Sequence, residues 1–282
     1  MSVMTVESSI PVPPGRTVPP KRTAVAPVTQ RRVVRSEWIK LRSLRSTWFT
    51  FAAAAVGMVG LGLLIAYFTN NRWAQMSPIE RLGFDPTSRS LTGVFIAQLA
   101  IGVLGVLIIS GEYATGMVRA SFAAVPRRLP VLWAKLVVFC GSAFALMLGS
   151  AFAAFLGGQA LLGSHGTTLS APHVLRAVIG VALYLTVVGV LGVALGFIIR
   201  STAGGITALV GLLLVLPTIG RVLPTSWQDH VLPYLPSNAG GALYTLKPDP
   251  GTLGAWTGFG VMCLWALAAV VTAAVLVKRR DA

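Results

Sequence analysis

Apolar and polar positions alternate along this chain in long blocks. Six of the blocks reach the ~20 apolar residues that a helix needs to cross ~30 Å of hydrocarbon. They cover residues 48–69, 91–110, 131–161, 175–199, 203–222 and 253–277. The third block is long enough to tilt or to protrude, and Pro217 should kink the fifth or end it early. The pattern therefore predicts an all-α integral membrane protein with six transmembrane helices.

Composition and charge agree with a membrane protein and argue against a nucleic-acid-binding one. The chain is 55% hydrophobic and only 11% charged, whereas soluble domains carry about 25% charged residues. Its net charge of +15 comes from basic residues at the ends of apolar blocks. No basic stripe with interleaved aromatic residues is present, so we expect no nucleic-acid partner.

The placement of the basic residues predicts the orientation. If both termini are cytoplasmic, most of the 23 lysines and arginines fall on the inner side of the membrane, as the positive-inside rule requires. Residues 1–30 are rich in proline and lack an apolar core, which predicts a disordered cytoplasmic tail. Residues 47–278 then form the six-helix transmembrane domain.

The spacing of apolar and basic residues over 31–46 predicts an amphipathic interfacial helix on the N-terminal side of the first block. At helical spacing, an apolar arc of Val34, Trp38, Leu41, Leu44 and Trp48 lies apart from an arginine-rich arc, and Glu37 and Arg45 interrupt the apolar one. Such a helix lies in the headgroup layer and contacts membrane lipids. Its key residues would be Arg35, Trp38, Leu41, Arg42 and Leu44. The alternative is that these residues are simply the basic flank of the first span.

Residues 221–252, before the last block, mix prolines, aromatic residues and short apolar runs. The segment is too interrupted to span a membrane. It predicts either a re-entrant or interfacial piece shielded by protein, or an ordinary exposed loop.

The loop between the second and third blocks reads GEYATGMVRASFAAVPRR from Gly111. Val118, Phe122 and Val125 recur at helical spacing before Pro126, which predicts a short helix with one apolar edge. A groove on a partner protein would bury that edge; the alternative is an interfacial helix without a partner. Glu112 should favour the N-terminus of this helix or pair with an arginine.

Several kinds of chemistry find no support in the sequence. No Asp, Glu, Lys, Arg or His lies in the interior of a predicted span, which disfavours ion-coupled transport. No GxxxxGK[ST], HExxH or GxSxG motif occurs, so we expect neither ATP hydrolysis nor an intramembrane enzyme. The two cysteines and three histidines lack metal-like spacing. Glycines recur at spacings typical of close helix packing, at 57 and 60, at 102 and 105, and at 189, 192 and 196.

Four stretches carry a family resemblance. They are SEWIKLRSLRSTWFT, GEYATGMVRASFAAVPRRLPVLWAK, LGFIIRSTAGGI and YLPSNAGGAL, in this order over residues 31–278. Together they resemble the permease subunits of type-2 ABC exporters, closest to compact bacterial permeases encoded beside a separate ATPase. The resemblance implies a multi-pass protein of the bacterial plasma membrane that pairs with a second permease copy, identical or different. Cytosolic ABC ATPase subunits would dock beneath it.

The resemblance also implies the functional residues. The permease itself would bind no cofactor, because the partner ATPase uses ATP and Mg. The helix after the second span would transmit the motion of the ATPase. The expected ATPase-coupling residues are Gly111, Glu112, Tyr113, Gly116, Met117, Arg119, Phe122, Arg127 and Arg128. Met117 stands where many members carry threonine. A non-transporting membrane anchor or sensor that binds ATPase subunits is the alternative function.

Overall fold

The computed structural model describes residues 29–125 and 127–279, and every regular element in them is helical. The predicted tail 1–30 lies almost wholly outside the described residues, as does Pro126. The helices of the first half are α1 (Gln30–Ser43), α2 (Arg45–Asn71), α3 (Pro78–Leu82), α4 (Pro86–Ser90), α5 (Val94–Ala114), α6 (Met117–Ala124) and α7 (Leu129–Leu162). Those of the second half are α8 (Val174–Ile199), α9 (Thr202–Val210), α10 (Leu216–Gly220), α11 (Thr225–His230), α12 (Pro236–Gly241) and α13 (Ala255–Arg279). Short 3₁₀ turns cover Trp73–Gln75, Gly163–His165 and Leu232–Tyr234.

Six helical stretches in the described residues are long and apolar enough to cross a membrane, which confirms the six predicted spans. They are Arg45–Asn71, Val94–Ala114, Leu129–His165, Val174–Ile199, Thr202–Gly220 and Ala255–Arg279. The fourth of these, α8, is the most enclosed by the rest of the chain. The outward surfaces of the other spans carry exposed large apolar side chains, such as Phe49 and Val56, as a lipid-facing surface does.

Glycines allow α5 and α8 to pack backbone against backbone. A Cβ on Gly105 would collide with the carbonyl oxygen of Gly189, and a Cβ on Gly192 would collide with that of Gly102. The predicted close packing is therefore confirmed for this pair of helices. It is wrong for Gly60, because a Cβ there would meet open space within this chain.

The two ends of the bundle differ in the elements they hold. At one end, which we call the basal end, Gln30 donates to the carbonyl oxygen of Pro130 at 3.1 Å. Arg128 donates to that of Val277 at 3.4 Å. These contacts bring α1, the start of α7 and the end of α13 together. At the opposite, distal end, Lys247 donates to the carbonyl oxygen of Phe84 at 2.9 Å.

The predicted helix 31–46 is divided by a sharp joint. Leu44 adopts an extended conformation, with φ −83° and ψ 111°, so α1 ends at Ser43 and α2 begins at Arg45. Trp48 spans the joint by donating from its indole nitrogen to the carbonyl oxygen of Arg42 at 3.1 Å. Leu44 is thus the hinge between the two helices rather than a member of the first.

The fifth span continues past Pro217 but changes its winding just before it. Residues Gly211–Val215 form a π-helical turn, and α10 then runs on to Gly220. Proline lacks the N–H that an α-helical hydrogen bond needs, and a π-turn accommodates such a break without ending the helix. The predicted early end at Pro217 is therefore not present, and the structure shows a change of winding before the proline instead.

Part of the segment before the last span folds back into the bundle. Ala239 and Leu243 are fully buried, and a Cβ on Gly240 would collide with Met262 of α13 and Tyr184 of α8. Met262 lies about 10 Å along α13 from its start, at a rise of about 1.5 Å per residue. The region around α12 is therefore an inserted segment, which favours the re-entrant alternative over an exposed loop.

Candidate functional site: an ion-pair ring at the basal end

Four charged side chains from three helices form a closed ring, which we call the ion-pair ring. Lys135 of α7 donates to Glu37 Oε2 at 2.6 Å and to Glu112 Oε1 at 2.7 Å. Lys40 donates to Glu37 Oε1 at 2.7 Å and to Glu112 Oε1 at 3.3 Å. Glu37 and Lys40 belong to α1 and Glu112 to the last turn of α5. Each lysine therefore contacts both carboxylates, and the ring has no net charge.

The inward face of α1 is the one that carries the ring. Its buried residues are Val33, Glu37 and Leu41, which repeat every four positions. Trp38 and Leu44 are 45% and 48% exposed, so most of the apolar arc predicted from the sequence points away from the bundle. The interpretation of Glu37 as an interruption was wrong, because α1 meets the bundle through a charged contact.

Three of the four ring residues are nearly closed to water, which makes their pairing essential. The side chain of Lys135 is 4% exposed, that of Glu37 5% and that of Glu112 12%. An unpaired charge at this depth would cost several kcal/mol, roughly 3–5 when one partner of a buried pair is lost. Burial alone would lower the pKa of Lys40. The hydrogen bond and charge of Glu37, and then those of Glu112, outweigh that effect and raise its pKa above the ordinary value.

The short helix α6 is attached to the same ring. Gly116 caps its N-terminus with φ +72°, a left-handed conformation that favours glycine. Lys40 donates to Ser121 Oγ at 3.0 Å. Val118 and Phe122 are 5% and 7% exposed and belong to the main apolar core. The apolar edge of this helix is thus already buried within the chain, and the expectation that a partner's groove covers it was wrong.

The outward face of α6 holds a different set of residues. Met117 is 44% exposed, and Arg119 is exposed beside it. Arg127 is also exposed at the end of the loop. A partner that approaches the basal end would therefore meet a mostly basic surface.

The other predicted coupling residues have separate surroundings. Arg128 lies over the ring of Phe122 at 5.5 Å, and Arg200, in the turn before α9, lies over that of Tyr113 at 5.0 Å. Glu112 contacts lysines rather than an arginine, and it lies at the end of α5 rather than at the start of α6. A Cβ on Gly111 would meet open space, so nothing in the structure explains a glycine there.

The predicted coupling residues did not include four members of this site, namely Glu37, Lys40, Ser121 and Lys135. The available signal was the opposite charge at spacing three, Glu37 to Lys40, on the apolar side of the helix. Lys135 lies near the start of the block 131–161, on the side that the predicted orientation makes cytoplasmic, and its burial was not expected either. Its charge is tolerated because two carboxylates compensate for it.

The arrangement is suited to mechanical contact rather than to chemistry. Within residues 29–125 and 127–279, no cluster of His, Cys, Asp or Glu that could hold a metal ion is found. The carboxylates are already satisfied by the lysines. What the ring does provide is a connection between α1, α5, α6 and α7.

Comparison with known proteins places this fold in a family. No curated protein matches the chain. A family model described as ABC-2 family transporter protein matches residues 33–219, which is more than half of the chain and extends from α1 to α10. The matched region includes all four residues of the ion-pair ring. The chain therefore belongs to the ABC-2 transporter family and is a multi-pass membrane permease component.

Proposed function

We propose that this chain is the permease subunit of a bacterial ABC exporter and that it forms the translocation pathway with a second permease copy. A separate cytosolic ATPase would bind ATP and Mg and drive the cycle. The observation that carries this proposal is the ion-pair ring, because it fastens the helix after the second span to three other helices at one end of the molecule.

The ring supports a role in coupling because its contacts join α6 to α1, α5 and α7. A displacement of α6 would be transmitted to Lys40 through Ser121 Oγ, and Lys40 contacts Glu37 and Glu112. Glu112 ends the second span, and Lys135 lies in the first turns of the third. A displacement of α6 would therefore move α1 and two spans together. Buried side chains in fixed ion pairs transmit such a displacement better than a loop with solvated charges.

The basal surface supports docking of the ATPase. Exposed basic residues gather at this end, including Arg119, Arg127 and Lys278. Under the positive-inside rule, a basic end faces the cytosol, where an ATPase could reach it. We therefore propose that the basal end, with both termini, is cytoplasmic and that the membrane is the bacterial plasma membrane. Reaction of a membrane-impermeant reagent with a cysteine introduced at Arg127 from outside intact cells would overturn this orientation.

The experiment separates docking from coupling. The complex is purified from native membranes through a tag on this chain, and a polypeptide with a GxxxxGK[ST] loop is sought among the co-purifying proteins. Arg119→Glu should reduce the recovery of that polypeptide, whereas Arg89→Glu, an exposed arginine at the distal end, should not. Glu112→Gln should leave the complex assembled but abolish the solute-stimulated part of its ATPase activity.

Two results would contradict the proposal. Full solute stimulation in the assembled Glu112→Gln complex would remove the ring from coupling. ATP hydrolysis without ATP-driven solute movement in proteoliposomes, over a broad panel of solutes, would favour the anchor or sensor alternative instead.

A further inference from the structure

A cavity of about 900 Å³ opens at the distal end, remote from the ion-pair ring. It lies between α5, α8, the fifth span and the segment that precedes α13. Deep in its wall, Tyr184 donates to Gln98 Oε1 at 2.5 Å, and the two residues are 1% and 3% exposed. Its volume lies within the range of sites that hold drug-sized ligands.

One part of the cavity wall is apolar. Phe95 comes from the start of α5, Leu213 and Leu214 from the π-helical turn of the fifth span, and Pro217 from the following turn. Phe95 is 60% exposed. π-turns recur at functional sites, because they displace side chains from the regular helical face. This wall would accept the apolar body of a ligand.

Charged residues also line the cavity. They are Asp229, Asp249 and one arginine, Arg221, and all three residues are exposed. Neither aspartate side chain has a hydrogen-bond or ion-pair partner among the described residues. Two carboxylates against one guanidinium give the cavity lining a net negative charge, in a chain whose net charge is +15.

The absence of partners sets these two aspartates apart from the other described acidic residues. Glu37 and Glu112 belong to the ion-pair ring. Glu80 accepts from the backbone of Ser77 and caps α3, and Asp85 accepts from the backbone of Thr87 and caps α4. Outside residues 1–28, 126 and 280–282, the carboxylates that no protein group satisfies are thus the two that line this cavity.

One uncharged polar group in the wall is also unsatisfied. Ser237 Oγ is buried without a hydrogen-bond partner among the described residues. The rings of Tyr184 and Tyr244 meet edge to face at 5.3 Å and also line the cavity. Aromatic rings and carboxylates together attract organic cations.

We propose that this cavity binds an amphipathic organic cation, with its apolar body against Phe95 and the π-turn and its charge toward Asp229 and Asp249. The claim that such a cation is the exporter's substrate rests on the proposed function. The claim that the cavity binds such a cation does not. In the proposed orientation the cavity faces the outer side of the membrane, where an exported solute leaves.

A matched pair of ions tests the charge preference. Tetraphenylphosphonium and tetraphenylborate have nearly the same size and shape and opposite charge. Equilibrium dialysis against the purified full chain in neutral detergent at low salt should give tighter binding of the cation. Asp229→Asn and Asp249→Asn should each weaken cation binding by about two- to fivefold, the range expected for a partly exposed charge pair. Together they should weaken it by the product of the two effects, about four- to twenty-five-fold.

The control is Glu80→Gln, which removes a carboxylate at the same end but outside the cavity wall, and it should leave cation binding unchanged. Leu214→Trp should weaken binding of either ion by filling the apolar part, with unfolding measured in parallel to confirm an intact fold. Unchanged cation binding in the double aspartate variant would overturn the proposal. So would tighter binding of the borate that is lost in Arg221→Gln, which would mark an anion site.

Failure of this inference and failure of the proposed function give different results. Dialysis needs no ATPase, so it reports on the cavity alone, whereas ATP-driven uptake of tetraphenylphosphonium into inverted vesicles reports on both. Cation binding at the cavity without ATP-driven transport of any solute would contradict the exporter proposal but support the binding site. ATP-driven transport of other solutes, with no binding of the cation, would contradict this inference but support the exporter proposal.

Discussion

Lys135→Met is the perturbation that most directly tests the ion-pair ring. Methionine keeps the unbranched shape of the lysine side chain and most of its length and packing but removes the charge. The two carboxylates of Glu37 and Glu112 would then face each other with Lys40 as their remaining cation. Lys40 is 28% exposed, so water partly screens its charge.

The size of the effect follows from the geometry. Lys135 donates at 2.6 Å to Glu37 and at 2.7 Å to Glu112, and its side chain is 4% exposed. Removing one member of a buried ion pair costs roughly 3–5 kcal/mol. We expect a value near the lower limit, about 3 kcal/mol, because Lys40 retains one contact to each carboxylate. This corresponds to about a hundredfold change in the unfolding equilibrium.

The assay is reversible unfolding of the purified chain in mixed micelles, with increasing denaturing detergent. Lys278→Met is the matched control, because Lys278 is exposed at the end of α13, and it should change stability by less than about 0.5 kcal/mol. The double variant Glu37→Gln with Lys135→Met removes one charge of each sign. It should recover more than half of the loss, because the Glu112–Lys40 pair is then balanced.

The reasoning would be refuted if Lys135→Met unfolded at the same detergent fraction as the unchanged protein. It would also fail if the double variant lost the sum of the two single losses. Additivity would mean that Glu37 and Lys135 do not interact, contrary to their 2.6 Å contact.

Three further predictions concern backbone positions and pH. Gly116→Ala should cost about 1 kcal/mol, because φ is +72° there, and it should lower solute-stimulated ATPase activity more than docking. Gly192→Ala should prevent α5 and α8 from packing and reduce the yield of folded protein, whereas Gly60→Ala, which meets open space, should not. The raised pKa of Lys40 means that the folded state holds its proton more tightly than the unfolded state. Its contribution to stability is therefore complete below the ordinary lysine pKa of about 10.4 and is lost as pH rises through the folded value, so unfolding measured from pH 6 to 9 should show no transition from this group.

The spans could be predicted from the sequence because hydrocarbon imposes the same requirement on each of them separately. A helix in lipid must be about 20 residues long and apolar wherever it faces the chains. The blocks at 48–69 and 175–199 therefore appear almost unchanged as α2 and α8. An irregularity of the helix near Pro217 could also be expected from the sequence, because proline lacks the N–H that an α-helical hydrogen bond needs.

The ion-pair ring could not be predicted in the same way because its contacts join distant parts of the chain. Glu37 and Lys135 are separated by 98 positions and Lys40 and Glu112 by 72, and no local pattern records which charges will meet. The apolar arc of α1 was misleading for a related reason. A helix at the surface of a membrane can turn its apolar side to lipid, so hydrophobicity alone does not tell which face meets the protein.

The same limit applies to α6 and to the inserted segment. Val118, Phe122 and Val125 marked an apolar edge correctly, but not what covers it, and the chain's own core does so. The inserted segment around α12 depends on contacts with α8 and α13 that its prolines and glycines do not reveal. Small residues there, such as Gly240, permit the approach of Tyr184 and Met262.

The carboxylates at the basal end are paired with lysines, whereas those in the distal cavity have no partner among the described residues, and α5 runs between the two ends. At the basal end Glu112 is locked in the ion-pair ring, whereas at the distal end Gln98 lines a cavity with unsatisfied carboxylates. The two residues lie about 20 Å apart along one helix, at about 1.5 Å per residue. Because Gly105 lets α5 rest directly on the backbone of α8, α5 has little room to bend between them. If α6 moves when ATP is hydrolysed, the stiff path through α5 leads to the cavity wall, so a cation bound there should alter the ATPase rate and ring variants should abolish that effect.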